Sequence, residues 1–129
     1  MPAYWRARMN RKREQAEKRG HVAEFVALTY LRLKGYRLLA QRFKTPQGEV
    51  DLIMRRRDVT AFIEVKARGS RDQGVEAVTT TQSRRIAAAA RAWMARDKTS
   101  NQNFCRFDIV VVSPYLLPQH IENAFPGDG

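Results

Sequence analysis

Gly48-Glu49-Val50-Asp51-Leu52-Ile53-Met54, then Arg55-Arg56-Arg57-Asp58, then Val59-Thr60-Ala61-Phe62-Ile63-Glu64-Val65-Lys66-Ala67-Arg68: two β-like runs on either side of a charged turn decide how this chain is read. Strands alternate their faces with period two. Glu49, Asp51 and Ile53 therefore share one face, and Val50, Leu52 and Met54 the other. In the second run Phe62, Glu64 and Lys66 lie opposite Ile63, Val65 and Ala67. A two-residue hairpin loop at Arg56-Arg57, or a longer loop over 55–58, sets Glu49 opposite Glu64 and Asp51 opposite Phe62. Glu49, Asp51, Glu64 and Lys66 then project from one patch, which a one-residue slip would destroy.

Crowded carboxylates repel each other and become tolerable with a cation between them. Oxygen-only ligands suit a hard ion such as Mg²⁺, which takes one or two carboxylates plus waters. Such an ion can activate water for attack on phosphorus, and Lys66 can stabilise the developing charge. A half-exposed sheet with Glu–Lys pairs across its strands gives the same alternation. The pattern by itself leaves both readings standing.

Asp51 followed by Glu64-Val65-Lys66 resembles the PD-(D/E)xK nuclease signature. More closely, Gly48 to Ile53, Phe62 to Arg68 and Arg106-Phe107-Asp108 resemble the bacterial YraN-like family, small predicted endonucleases related to the archaeal Holliday-junction resolvases. The resemblance runs from about Gly20 to about Phe125. It implies a restriction-endonuclease-like α/β core in the order α-β-β-β-α-β, a mixed sheet flanked by helices. It also implies a metal-dependent endonuclease acting on DNA, with branched DNA as a candidate substrate. Asp51 and Glu64 would hold Mg²⁺ (or Mn²⁺), with Glu49 as a further ligand or a neighbour of one. Lys66 would position water or stabilise the transition state. Glu24, within Gly20-His21-Val22-Ala23-Glu24, would be a fourth acidic member. By family analogy the chain forms a homodimer. Gln82 departs from the family, where a lysine is usual, and cannot supply that lysine's charge.

Composition fits a nucleic-acid partner. The chain has 129 residues, 24 Lys and Arg against 13 Asp and Glu, and a formal charge of +11, the footprint of a polyanion binder. No long apolar run suggests a membrane segment, and the basic N-terminus lacks the apolar stretch of a signal peptide, which points to the cytoplasm. With two His and one Cys the chain lacks the ligands of a structural zinc cluster. Cys105, in an apolar strand-like run, reads as a reduced core residue.

Taken in order, residues 1–19 read as a solvated basic arm with helix as one reading of its end, 20–125 as a single nuclease-like domain and 126–129 as a tail. The arm is either a phosphate-tracking element with Trp5 available for stacking or a plain tail. The spacing predicts a helix over 21–34 with Val22, Phe25, Val26, Thr29 and Leu33 on its apolar face, broadened by Ala23, Tyr30 and Leu31. It then predicts strand 36–44, a turn at 45–48, the hairpin, a loop over 68–74, a helix over 82–97 with a threonine cap, a polar loop over 98–103 and strand 104–113. On that helix Ile86, Ala89, Ala90, Trp93 and Met94 form the core face. Arg106 and Asp108 read as a structural ion pair and His120 as structural rather than catalytic. The rival to the nuclease is a nucleic-acid-binding protein that uses its basic surface without cutting; nothing in the motif calls for a purely structural component.

Overall fold

The computed structural model describes residues 2–97 and 104–127. The polar loop expected over 98–103, and residues 128–129 of the expected tail, lie outside the described residues. A long helix α1 (Ala3–Leu33) leads into an antiparallel meander of β1 (Arg37–Thr45), β2 (Gly48–Arg56) and β3 (Val59–Ala67). Helices α2 (Arg71–Glu76) and α3 (Thr80–Arg96) carry the chain back to β4 (Phe104–Val112), parallel to β3. A short β5 (Gln119–Ile121) returns antiparallel to β4. The sheet order is β1-β2-β3-β4-β5. The expected α-β-β-β-α-β order is its core, with α2 and β5 added. α2 falls where a loop was expected, and is started by the Ser70 hydroxyl accepting from the Gln73 N–H at 3.2 Å.

One layer of core lies on each face of the sheet. On one, Ala27, Leu28 and Leu31 of α1 pack on Leu52, Met54, Ala61, Ile63 and Val110. On the other, Ile86, Ala87, Ala89 and Ala90 of α3 pack on Val50, Ile53, Phe62 and Phe107. The alanines let α3 sit close to the strands, as its spacing predicts, and Thr79 caps it by accepting from the Gln82 N–H at 3.1 Å. Val50 was expected beside Leu52 and Met54 but packs with Ile53 on the α3 side, so the alternation slips next to Asp51.

Three expectations are corrected. The hairpin turns at Arg57-Asp58, because Arg56 pairs with Val59. Arg57 adopts the left-handed conformation (φ 57°), and Asp is a favoured turn residue. The register moves by two residues, an even shift that keeps every side chain on its face. The second correction concerns α1, which buries Ala23, Glu24, Ala27, Leu28 and Leu31. Val22, Phe25 and Leu33 of the expected core face are 61, 68 and 83% exposed. Small residues allow the close approach to the sheet that Phe25 would block. Finally, Cys105 is exposed, since it pairs with Thr60 near the hairpin turn, where β4 begins. The expected basic arm is the exposed N-terminal half of α1, built from good helix formers such as Ala, Arg, Glu, Gln and Lys.

Candidate active site

The β2–β3 ladder runs from Arg56↔Val59 to Leu52↔Ile63 and stops there. Beyond it each strand is held by its other neighbour: Glu49 and Val50 pair with Lys44 and Phe43 of β1, and Glu64 and Lys66 with Ile109 and Val111 of β4. The hairpin therefore opens into a notch with fixed walls. Asp51 fills it. Its Oδ2 accepts the Val65 N–H at 2.8 Å, a donor that the ladder leaves unused. The two-residue register shift brings Glu64 beside Asp51, where Glu49 was expected.

Glu64 is buried, 6% exposed. Burial, then a hydrogen bond to Asp51 and the charge of that carboxylate, push its carboxyl up to about 10, against a smaller opposing pull from Lys66. At neutral pH Glu64 is therefore protonated and donates to Asp51. Gln82 of α3 donates its amide N–H to Glu64 Oε2 at 3.1 Å. Lys66 is half-buried, lies two residues on along the same face, and acts on Glu64 through its charge.

The other two acidic candidates border the same notches but are not hydrogen-bonded into the pair. Glu24 is buried on α1, but Arg42 of β1 clamps its Oε2 through Nε at 2.8 Å and Nη2 at 2.7 Å. Arg42 reaches it from a left-handed backbone (φ 50°). Glu49 is exposed, with Lys44 at 3.9 Å. Two notches meet at Glu49. One of about 230 Å³ is lined by Glu24, Arg42, Glu49 and Asp51. The other, about 280 Å³, is lined by Glu49, Glu64, Thr79, Gln82 and Arg85. Among the described residues no three His, Cys, Asp or Glu side chains gather into a ready cation cage. The Asp51–Glu64 pair nevertheless fits a hard divalent ion, which needs only one or two carboxylates and keeps its waters. Loss of the Glu64 proton would leave both carboxylates free to hold such an ion.

Arg42, Gly48 and Arg85 had no assigned role in the motif. A Cβ on Gly48 would meet the Arg85 carbonyl oxygen at 1.8 Å, so glycine is what lets α3 approach and sets Gln82 and Arg85 at the rim. A glycine beside the acidic run was the visible signal; for Arg42 there was none.

His120 belongs to a different cluster, on the face covered by α1. Its Nδ1 receives Lys34 Nζ at 2.8 Å, and its Nε2 lies 2.8 Å from Asp108 Oδ2. An ammonium can only donate, so Nδ1 accepts and Nε2–H donates to Asp108. Arg106 donates to Asp108 at 2.8 Å and to the Tyr36 hydroxyl. Burial alone would raise the Asp108 carboxyl. The bonds from His120, Arg106 and the Asn123 N–H outweigh it and hold the group below its ordinary value. The expected structural pair is thus the centre of a buried network.

Among known proteins, the family model described as "Uncharacterised protein family UPF0102" matches residues 23–112. The UPF0102 protein Atu0303 of Agrobacterium fabrum is 52% identical over 114 residues, covering 88% of this chain and 93% of that one. The UPF0102 protein mlr4633 of Mesorhizobium japonicum is 48% identical over 115 residues, 89% and 92% of the two chains. A UPF0102 protein of Rhodopseudomonas palustris is 50% identical over 106 residues, 82% and 83% of the two.

Proposed function

We propose that this chain, which belongs to the uncharacterised protein family UPF0102, is a metal-dependent endonuclease that hydrolyses DNA phosphodiester bonds on a restriction-endonuclease-like core. The observation that carries the reading is the contact between Asp51 and Glu64 where the hairpin opens, with Lys66 beside it. A purely structural role gives no reason to hold two carboxyls together at the cost of keeping one protonated at neutral pH.

Asp51 and Glu64 would hold Mg²⁺ or Mn²⁺, with Glu49 at the mouth able to bond a water of the ion. When bound, the ion supplies a Lewis acid for the phosphoryl oxygen and a water of lowered pKa. The remaining work falls to the chain. Gln82 fixes the rotamer of Glu64. The Lys66 ammonium faces the position where negative charge grows on the phosphoryl oxygens. Arg85 and the basic half of α1 hold flanking phosphates. Arg42 neutralises Glu24, which removes a repulsive charge from the path of an anionic substrate.

The decisive experiment is cleavage of matched linear, single-stranded, flap and four-way-junction DNA with Mg²⁺, Mn²⁺ or EDTA. Metal-dependent cutting is expected, lost in Glu64→Ala and reduced on the order of a hundredfold or more in Lys66→Ala. Cutting that survives in Glu64→Ala sinks the assignment. A second reading, a nucleic-acid binder without catalysis, is favoured by the Arg42 clamp that takes Glu24 out of the acidic set. Tight, salt-sensitive binding with no cutting under any of these conditions selects it.

A further inference from the structure

A second cleft lies on the other flank of α1 from Asp51, between that helix and the ends of β3 and β4. It measures about 530 Å³, within the range of small-molecule sites, roughly 300–1,000 Å³. Its walls are Val22, Ala23, Ala67 and Val112. Lys18 and Arg19 of α1 and Arg68 after β3 bring three cations to its lining. Ser113 also lines it. That residue is 6% exposed, and its hydroxyl is buried with no hydrogen-bond partner. Buried polar groups are nearly always paired, and an unpaired one costs free energy that a partner would recover.

An apolar slot, one orphaned hydroxyl and a cationic lining make a specific combination. Apolar walls accept the flat faces of a heterocycle. A hydroxyl can donate to or accept from one polar edge atom of it. Cations suit the phosphates on either side. Ala67 adjoins Lys66 in the chain, and the slot is separated from Asp51 by the width of α1, about 10 Å. Resting on the nuclease reading above, we propose that this cleft receives an unstacked nucleobase of the bound nucleic acid, one or two nucleotides from the scissile phosphate. The protein would then select substrates in which a base is free to leave the stack. Single-stranded, flap and junction DNA offer such bases at least cost, because extruding a paired base costs a few kcal/mol.

The test uses the full chain in EDTA and four-way-junction and single-stranded oligonucleotides carrying 2-aminopurine at successive positions. This base is dark when stacked and bright when not. Binding is followed by anisotropy and unstacking by base fluorescence. Brightening is expected at one position, and loss of it with Ala67→Leu, which puts a larger side chain on the slot's wall. Ser113→Ala should bind about threefold to tenfold more weakly, the loss of one hydrogen bond. Its unfolding midpoint should be unchanged or raised, since it removes a buried unpaired hydroxyl. That combination separates ligand contact from a structural role. Full-affinity binding with every position dark overturns the slot and leaves the nuclease reading intact. Brightening that persists in Ala67→Leu also overturns it, because the free base then sits elsewhere. Absence of binding to any oligonucleotide removes the slot together with the reading it rests on. Capture of a fluorescent fatty acyl probe, blocked by Ala67→Leu while DNA binding is indifferent to it, reassigns the cleft to an apolar chain.

Discussion

Glu64 carries the sharpest consequence of the site's geometry. Its carboxyl lies near 4.5 in the unfolded chain and about 10 in the folded one. Between those values the folded state binds the extra proton, so stability from this group is full below the lower value and lost as pH rises towards the upper. Urea unfolding from pH 5 to 9 should show this decline. Glu64→Gln, which keeps the bond with Gln82 possible and removes the charge, should flatten it and be the more stable protein at pH 8. An unchanged pH profile in the variant would contradict the assignment. The same proton competes with a divalent ion. Added Mn²⁺ should raise the unfolding temperature of the wild type. Apparent affinity should grow about tenfold per pH unit while one proton is released per ion, and EDTA should abolish the effect. Glu64→Gln should show little of it; an equal shift in both proteins would place the ion elsewhere. Asp51, Glu64 and Lys66 could be singled out in the sequence because the motif resemblance named them and a strand's period put Glu64 and Lys66 on one face. Their partners could not be. The Glu24–Arg42 clamp depends on how α1 crosses β1, which no local spacing encodes. The opposition of Asp51 to Glu64 depended on which of three adjacent arginines takes the left-handed turn conformation.

Among the elements, α3 is positioned by contact with the hairpin at Gly48, whose added Cβ would sit 1.8 Å from the Arg85 carbonyl oxygen. Backbone cannot give way as a flexible side chain can. Gly48→Ala should therefore cost about 1–3 kcal/mol and also separate Gln82 from Glu64. A denaturation midpoint at the wild-type value would mean that the helix is free to move. β4 and β5 are tied to the end of α1 through Asp108. Asp108→Ala leaves Arg106 and His120 without their anion and should cost about 3–5 kcal/mol. Because the carboxyl is held below its ordinary value, its stabilisation is present above that value and disappears as pH falls through the folded one. Acid unfolding of the variant should lack this step. Cleavage per folded molecule should be unaffected, since the network lies on the opposite face from Glu64; a variant that folds but does not cut would give Asp108 a part in the site. The succession of the first four strands along the chain and α3 were readable from periodicity. The orientation of α1 was not, because Val22, Phe25 and Leu33 pointed to one face while Ala23, Ala27, Leu28 and Leu31 formed the buried one. β5 is only three residues long, too short for any alternation to register.

At the scale of the whole molecule, charge and shape act together. The excess of 24 basic over 13 acidic residues was evident from composition, but its placement needed the fold. Lys18, Arg19, Val22 and Ala23 of α1 line the slot beside Ala67, and Glu17, Gly20, His21 and Glu24 line the Asp51 notch. The preceding turns of the same helix carry Arg6, Arg8, Arg11, Lys12 and Arg13, all exposed. The helix therefore extends a cationic edge outward from the site end of the sheet, where a substrate's flanking phosphates would run. Sequence periodicity could not show this, because a helix polar on all sides has no apolar stripe to reveal it. Replacing those five cations with Gln keeps good helix formers in place and tests the edge without shortening the chain. On duplex DNA the slope of log affinity against log salt should fall in magnitude by about 0.9 for every phosphate that is no longer neutralised. Anisotropy titrations between 50 and 200 mM salt, taken as about the range in which such effects span decades, would measure it. The folded core should be undisturbed, since none of the five side chains is buried. If the slope is unchanged, the edge does not touch nucleic acid, and any DNA contact would have to be sought on the other basic residues, such as those of α3 and the β3–α2 connection.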